Sequence, residues 1–196
     1  MVSLTQKERE SILVLFKDFS SFYNANSISA PLKMTSVGVQ KLFKRLLNAN
    51  LLISKRIGKS IIYKVNLNDK YVRQLVSFLL ADEANNFRRW KEEFGELFKK
   101  DRIVLMYGSS IKNYAQANDI DIIIVLRKKE VEEVNKFIKK KKEILPKNLH
   151  SIKMTYQDLL ENLKKKDKVI IDIIKNSIVL HGHDLYVEVI KNFTSI

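Results

Sequence analysis

Hydrophobic positions in the first part of the chain recur at the spacing of amphipathic helices. Thr5-Gln-Lys-Glu8 has the pattern of a capping box, in which hydroxyl and carboxylate each satisfy a free backbone N–H, so a helix is predicted to begin there. A polar, turn-rich segment at residues 24–29 and a short helix interrupted at Pro31 are expected next, before a longer helix over residues 35–49. The apolar face of the first helix is predicted to contain Ile12, Leu15, Phe16, Phe19 and Phe22.

Two strand-like runs follow, at residues 51–55 and 60–65, joined by Arg56-Ile-Gly-Lys59. Glycine at this turn supplies a positive φ, so the two runs are predicted to form a β-hairpin. The order helix, short helix, helix and hairpin over residues 1–68 resembles a winged helix-turn-helix domain. Residues 34–52 look like the recognition helix of that family leading into its wing. In that family glycine more often stands where this chain has Asn50, which also accepts left-handed backbone angles.

From residue 69 to residue 100 the pattern is helical, with two apolar stripes. We interpret this segment as connecting helices between two domains. An aromatic stripe of this kind is most often core, and a dimer seam is the alternative, which would make the protein a homodimer. The stripes contain Val72, Leu75, Phe78 and Leu79 in one case and Trp90, Phe94, Leu97 and Phe98 in the other.

Polar residues interrupt two buried strand-like runs in the second half of the chain. The first run, residues 103–107, is broken by Gly108-Ser109, and the second begins with Asp119 and Asp121. Residues i and i+2 of a strand point to the same face, so the two carboxylates should lie side by side. Their repulsion would be relieved by Mg²⁺, which is usually held by one or two carboxylates plus substrate phosphates.

The motif Gly108-Ser109, nine residues, then Asp119-Ile-Asp121 on a strand resembles the signature of the DNA polymerase β nucleotidyltransferase superfamily, and above all its minimal members. The resemblance covers residues 101–196 and includes the closing segment 178–186. It implies phosphate binding by Gly108 and Ser109, Mg²⁺ binding and catalysis by Asp119 and Asp121, and an NTP as substrate or ligand. Lys112, one helical turn beyond Ser109, is a further candidate for phosphate contact.

The chain departs from that family where a third carboxylate is expected. The third strand of this half, predicted at residues 150–155, offers His150, Ser151 and Lys153 instead. Asp158 is the nearest acid, but its spacing from Thr155 is that of a second capping box. Between these strands the like-charged run at residues 139–142 is expected to be the solvated face of a helix. Taken together, the elements predict an α+β protein with an N-terminal winged helix-turn-helix, connecting helices and a small mixed-sheet nucleotidyltransferase fold.

The formal net charge of +14 in 196 residues favours a polyanionic partner. No acidic residue occurs between Phe19 and Asn68, an interval that includes the predicted recognition helix and wing. The sequence therefore predicts contact with double-stranded DNA, with the helix in the major groove and the wing tip at phosphates or in the minor groove. The candidate DNA-contacting residues are Ser36, Gln40, Lys41, Lys44, Arg45, Arg56 and Lys59.

The chain has no cysteine and no apolar run of the roughly 20 residues needed to span a bilayer. These features favour a cytoplasmic location and no membrane partner. Two functions remain open. One is Mg²⁺-dependent transfer of a nucleoside monophosphate to a hydroxyl, such as that of a toxin-like protein partner adenylylated by antitoxin-like members. The other is a non-catalytic transcriptional regulator whose degenerate transferase domain senses a nucleotide or mediates dimerisation. General nucleic-acid packaging is a third possibility.

Overall fold

The structure of the protein, a computed structural model, describes residues 4–194 and divides into two compact units. The division falls between Leu79 and Leu80, inside helix α4. The first unit contains the elements α1 (Gln6–Lys17), α2 (Ser29–Leu32), α3 (Ser36–Asn48), β1 (Leu52–Ile57), β2 (Ser60–Val65) and the start of α4 (Lys70–Ala84). The second contains the end of α4 and α5 (Arg88–Glu93), β3 (Ile103–Tyr107), β4 (Asp119–Val125), α6 (Val131–Ile144), β5 (Asn148–Met154), α7 (Tyr156–Lys164), α8 (Lys168–Lys175), β6 (Ile178–His181) and α9 (His183–Thr194).

The first unit begins at the predicted capping box. The Thr5 hydroxyl accepts a hydrogen bond from the Glu8 N–H, and the Glu8 carboxylate accepts one from the Thr5 N–H at 2.8 Å. The expected apolar face of α1 is buried, with one exception. Phe22 is 67% exposed, and its ring lies under the Lys64 ammonium. Helical spacing does not predict its burial, because α1 ends at Lys17.

The hairpin of the first unit pairs β1 and β2 antiparallel from Leu52↔Val65 to Ile57↔Ser60. Its turn contains Gly58 at φ 58°, the left-handed value expected there. Asn50, which precedes β1, also has a left-handed φ of 57°. An asparagine therefore does at this position what glycine more often does.

A four-stranded mixed sheet in the order β5-β4-β3-β6 forms the centre of the second unit. Strand β3 pairs antiparallel with β4 and with β6, whereas β5 pairs parallel to β4 after the crossover through α6. The parallel pairing needs such a crossover, because a short turn can join only antiparallel neighbours. The predicted α+β class with a small mixed sheet is confirmed.

The aromatic stripe at residues 90–97 packs into the core of the second unit. Trp90, Phe94 and Leu97 are buried in the same cluster as Val104 and Ile122 of the sheet. The segment predicted as connecting helices, residues 69–100, is thus shared between the two units. Pro31 does not interrupt a helix, since it is the third residue of the four-residue α2 and therefore lies within a first helical turn, where proline is tolerated.

A buried arginine lies directly before β3 in the second unit. Arg102 is 0% exposed and its guanidinium pairs with Glu130 at 2.8 Å and with Glu133 at 3.2 Å. A buried charge without partners would be costly, so the two glutamates at the start of α6 fix this arginine beside β3. Within residues 4–194, no helix has the length and the apolar character needed to cross a membrane.

Candidate functional site

The turn after β3 brings the Gly-Ser pair against the start of β4. In the antiparallel register Tyr107, the last residue of β3, lies opposite Asp121. Gly108 follows with φ 83°, and Ser109 opens a single 3-10 turn that ends at Ile111. The segment after Gly108 is therefore one short turn. Its hydroxyl and backbone amides, rather than the dipole of a long helix, are available to an anion.

Gly108 packs directly against the Asp121 carboxylate. A Cβ at Gly108 would lie 2.4 Å from Asp121 Oδ2 and 3.3 Å from its Cγ. No side chain can occupy that space without displacing the carboxylate, and the positive φ disfavours side chains as well. The close approach explains why the motif needs glycine at this position.

The two carboxylates lie on the same face of β4, as alternation predicts. Both are partly buried, and among the described residues the Asp119 carboxylate has neither a hydrogen bond nor an ion pair. Asp121 is 20% exposed and has one neighbour of opposite potential charge, with 3.4 Å between its Oδ1 and Nδ1 of His150. Burial, and then the negative charge of Asp121, raise the pKa of the Tyr107 hydroxyl. The pair therefore stands almost without compensating positive charge.

His150 occupies the place on β5 that faces the acid pair. The parallel register sets Asp121 beside His150 and Asp119 beside Asn148. In the part of the chain that the structure describes, no three His, Cys, Asp or Glu side chains converge as a metal site. The third carboxylate that the family pattern requires is thus not supplied by β5.

Asp158 is engaged elsewhere. Its carboxylate accepts hydrogen bonds from the Thr155 N–H and the Thr155 hydroxyl, both at 2.8 Å, as the start of α7. These bonds, from the backbone first and the hydroxyl second, lower the pKa of Asp158. The predicted capping box at residues 155–158 is confirmed.

An aromatic clamp holds the loop between Ser109 and Asp119. The Tyr114 ring has two cations over it, the Arg89 guanidinium at 4.4 Å from its centroid and the Lys147 ammonium at 4.7 Å. Lys147 also donates to the carbonyls of Ala115 and Ala117, and Trp90 packs edge-on against Tyr114. Ser109 and Lys112, in contrast, are exposed and free to meet a ligand. Nothing local in the sequence marks this clamp, because its members are far apart along the chain.

Candidate DNA-contacting residues of the first unit have different surroundings. Gln40, Lys41 and Lys44 are exposed on one side of α3. Arg45 donates instead to the Glu8 carboxylate at 2.7 Å, and Glu8 is only 2% exposed. The Arg45 side chain therefore binds the capping carboxylate of α1, although it lies at the surface.

The other three candidates lie at the edges of the same unit. The Ser36 hydroxyl donates to the Asn26 side chain at 2.9 Å. Arg56 and Lys59 are on either side of the hairpin turn and are exposed. Lys59 and Gln40 line one open groove of about 570 Å³ between the hairpin and α3.

The second unit has a small mixed sheet, and its antiparallel β3–β4 pair has a Gly-Ser turn at one end and two acids on one face. This arrangement is consistent with a nucleotidyltransferase fold. The family model of the nucleotidyltransferase domain matches residues 87–181. The C-terminal part of the chain is therefore similar to the nucleotidyltransferase domain over these residues, and domains of that class generally use a divalent metal and an NTP.

Other comparisons add little. No match was found among curated proteins. Two mutant forms of Lactococcus lactis ZitR resemble the chain at 16% identity; one covers 72% of this chain and 75% of its own at TM-score 0.34. The other covers 73% of this chain and 76% of its own at TM-score 0.35. Likeness at these scores identifies neither fold nor function.

Proposed function

We propose that the second unit transfers a nucleoside monophosphate from an NTP to a hydroxyl acceptor. The observation that carries the proposal is the contact between Gly108 and Asp121, which leaves room for no side chain between the phosphate-binding turn and the acid pair. A turn with only a structural role does not require its backbone to lie this close to a carboxylate. Such a close approach is useful where phosphates and a cation must share a small space.

The acid pair fits one divalent cation. Asp119 and Asp121 are partly buried oxygen ligands with little compensating charge, the donor type that suits Mg²⁺. When bound, the cation would offset the charge that develops on the phosphates during transfer. With only two carboxylates present, the remaining ligands must come from the nucleotide and from water.

Residues of the turn would hold the rest of the triphosphate. Ser109 is exposed beside the acid pair and offers a hydroxyl, and Lys112 is exposed one turn later. During transfer, the acceptor oxygen forms a bond to the α-phosphorus while the bond from that phosphorus to the pyrophosphate oxygen breaks. The hydroxyl proton is released to water, and pyrophosphate leaves.

The first unit is proposed to bind double-stranded DNA as a winged helix. Its three helices and hairpin have the required order, and residues 20–68 contain basic but no acidic side chains. Helix α3 would enter the major groove with Gln40, Lys41 and Lys44, and the hairpin turn would reach the phosphates. The two activities together describe a DNA-binding nucleotidyltransferase.

The test is transfer of label from an NTP labelled at its α-phosphate. The wild-type chain is expected to label an acceptor and release pyrophosphate, and Asp119→Asn is expected to do neither while remaining folded. Tyr71→Phe, a substitution on the exposed side of α4, serves as the matched control and should leave the transfer rate unchanged. Equal transfer by wild type and Asp119→Asn would contradict the assignment.

A second function is favoured by His150, the residue of β5 that lies beside Asp121. Because His150 and not a carboxylate stands there, the domain could bind a nucleotide without turning it over and so regulate the DNA-binding unit. In that case Mg²⁺-NTP would change the affinity of the chain for DNA by severalfold with no pyrophosphate released. Turnover under the same conditions would exclude this alternative.

A further inference from the structure

A basic groove runs along the free edge of the sheet in the second unit. It has a volume of about 520 Å³ and lies between α6 and the edge strand β5. The helix contributes residues at the spacing i, i+4 and i+7, which places them on one side of α6. The polar lining consists of Asn135, Lys139 and Lys142 from α6 and His150, Ser151 and Lys153 from β5.

The lysines of this groove differ from their neighbours on the same helix. Lys141 is bound to Glu93 at 2.7 Å, and Lys136 lies 3.5 Å from Glu132. Lys139 and Lys142 are exposed and, within residues 4–194, have no carboxylate partner. The groove lining contains no acid at all, so its ammonium groups are available to an anion.

One residue of the groove lining, His150, also contacts the candidate active site. His150 lines the groove, and its Nδ1 lies 3.4 Å from Asp121 Oδ1. Strand alternation places His150 on the face of Asp121, and places Ser151 and Lys153 on the other face, beside α6. An anionic chain bound along the lysines would therefore pass over the edge of β5 at His150 to reach the carboxylates. Lys153, whose Nζ lies 3.2 Å from the Ser151 hydroxyl, stands on β5 within the same groove.

We propose that this groove binds a single strand of nucleic acid, which presents the acceptor hydroxyl to the transferase site. The inference rests on the proposed transfer for the role of the strand, but binding of the strand does not depend on it. Lysines one helical turn apart on α6 and a third on β5 match a ligand with repeated negative charges. The groove is lined by one helix and one strand and fits a single backbone, whereas a duplex needs a wider surface. The groove lining contains no Phe, Tyr or Trp, and His150 is its single ring, so phosphates rather than a run of stacked bases would be recognised.

The test is binding of a fluorescent oligonucleotide to the full chain, followed by anisotropy. All proteins carry Lys41→Gln/Lys44→Gln, which weakens the candidate DNA surface of the first unit. Lys139→Gln/Lys142→Gln then removes two groove lysines, and Lys136→Gln/Lys140→Gln removes two lysines of the same helix outside the groove. The two variants have the same net charge, and both keep the acid pair intact.

The groove variant is expected to bind the strand about tenfold more weakly, and the control variant less than about twofold more weakly. With three lysines in contact, the logarithm of affinity should fall with that of salt concentration with a slope of about −2. Equal affinity for RNA and DNA strands assigns recognition to the phosphates, and tighter binding of RNA adds the 2′-hydroxyl. Either result supports the proposal.

Three outcomes would overturn it. Equal losses in the groove and control variants would mean that binding follows net charge alone. A duplex that loses as much affinity as the strand would remove the assignment to single strands. Loss of Mg²⁺-NTP binding in the groove variant would assign the lysines to the triphosphate. If strand binding is lost in the groove variant while the wild type binds no NTP, the groove stands and the proposed transfer fails.

Discussion

The candidate residues of the first unit lie on open surfaces, whereas those of the second lie at the ends of buried strands. Lys41 and Lys44 project from an exposed side of α3 and need little from their neighbours. Asp121 is placed by the β3–β4 register, by Gly108 and by the alignment with His150. Substitutions should therefore act additively and with salt dependence in the first unit, and should abolish binding in the second.

The largest effect is expected from breaking the support of the second unit. Glu130→Gln leaves the fully buried Arg102 with Glu133 alone, and the free energy of unfolding should fall by about 3 kcal/mol. The matched control is Glu132→Gln, whose partner Lys136 is 79% exposed and whose own side chain is 85% exposed. Chemical denaturation should show a loss below about 0.5 kcal/mol for the control. Equal losses would mean that the buried pair contributes no more than a surface pair.

The same pair predicts a dependence on pH. Burial alone would raise the pKa of Glu130, but the Arg127 N–H and the Arg102 guanidinium outweigh it and lower that pKa. A carboxyl whose pKa is lowered in the folded state stabilises the protein above its unfolded pKa, and this contribution disappears as the pH falls through the folded pKa. The difference between wild type and Glu130→Gln should therefore shrink below about pH 4.3, the ordinary glutamate value. A difference that stays constant down to pH 3 would contradict the assignment.

Gly108→Ala should have the next largest effect. The new Cβ would displace the Asp121 carboxylate, so affinity for Mg²⁺-NTP should fall on the order of 100-fold, about 2.7 kcal/mol. Gly58→Ala is the control, because Gly58 also has a positive φ but nothing lies within 4 Å of its Cβ position. Calorimetric titration should find nucleotide affinity unchanged in Gly58→Ala. Unchanged affinity in Gly108→Ala would mean that the close approach of the turn does not control nucleotide binding by the acid pair.

Arg45→Gln is expected to affect stability more than DNA binding. Removing the guanidinium leaves the nearly buried Glu8 with only its capping partner, and thermal unfolding should show a loss of about 1–2 kcal/mol. Asn48→Ala, an exposed position on the same helix, should lose less than about 0.5 kcal/mol. A weakened affinity for DNA with no change in stability would instead make Arg45 a DNA contact.

The smallest effects belong to the exposed lysines of the first unit. Lys41→Gln/Lys44→Gln should weaken binding of duplex DNA severalfold and reduce the slope of log affinity against log salt by about 2. Stability should not change, since both side chains are exposed. The control is Lys99→Gln/Lys100→Gln in the second unit, which has the same net charge. An equal effect of the control would mean that DNA binding depends on the net charge alone and not on the position of these lysines.

Local chemistry explains what the sequence could predict. The capping boxes at Thr5 and Thr155, the hairpin turn at Gly58 and the strands around the acid pair follow from patterns within a few residues of each other. The placement of Asp119 and Asp121 on one face follows from strand alternation. These features depend on no distant contact.

The features that were missed depend on contacts between distant segments. The lysine run at residues 139–142 is predicted to be a solvated face, and Lys139, Lys140 and Lys142 are indeed exposed. The sequence does not indicate, however, that Lys139 and Lys142 lie beside Ser151 and Lys153 of β5. That arrangement is set by the parallel pairing of β5 with β4 across α6. Likewise, Arg45 meets Glu8 across 37 positions of sequence.

Calorimetric titration of Mg²⁺-NTP tests the central claim most directly. The wild-type chain is expected to bind the nucleotide with saturation, and only when the divalent cation is present. Asp119→Asn/Asp121→Asn should bind none, while its unfolding transition shows that it is folded. A wild type that binds no NTP with Mg²⁺ or Mn²⁺, or a variant that binds as well as the wild type, would contradict the account.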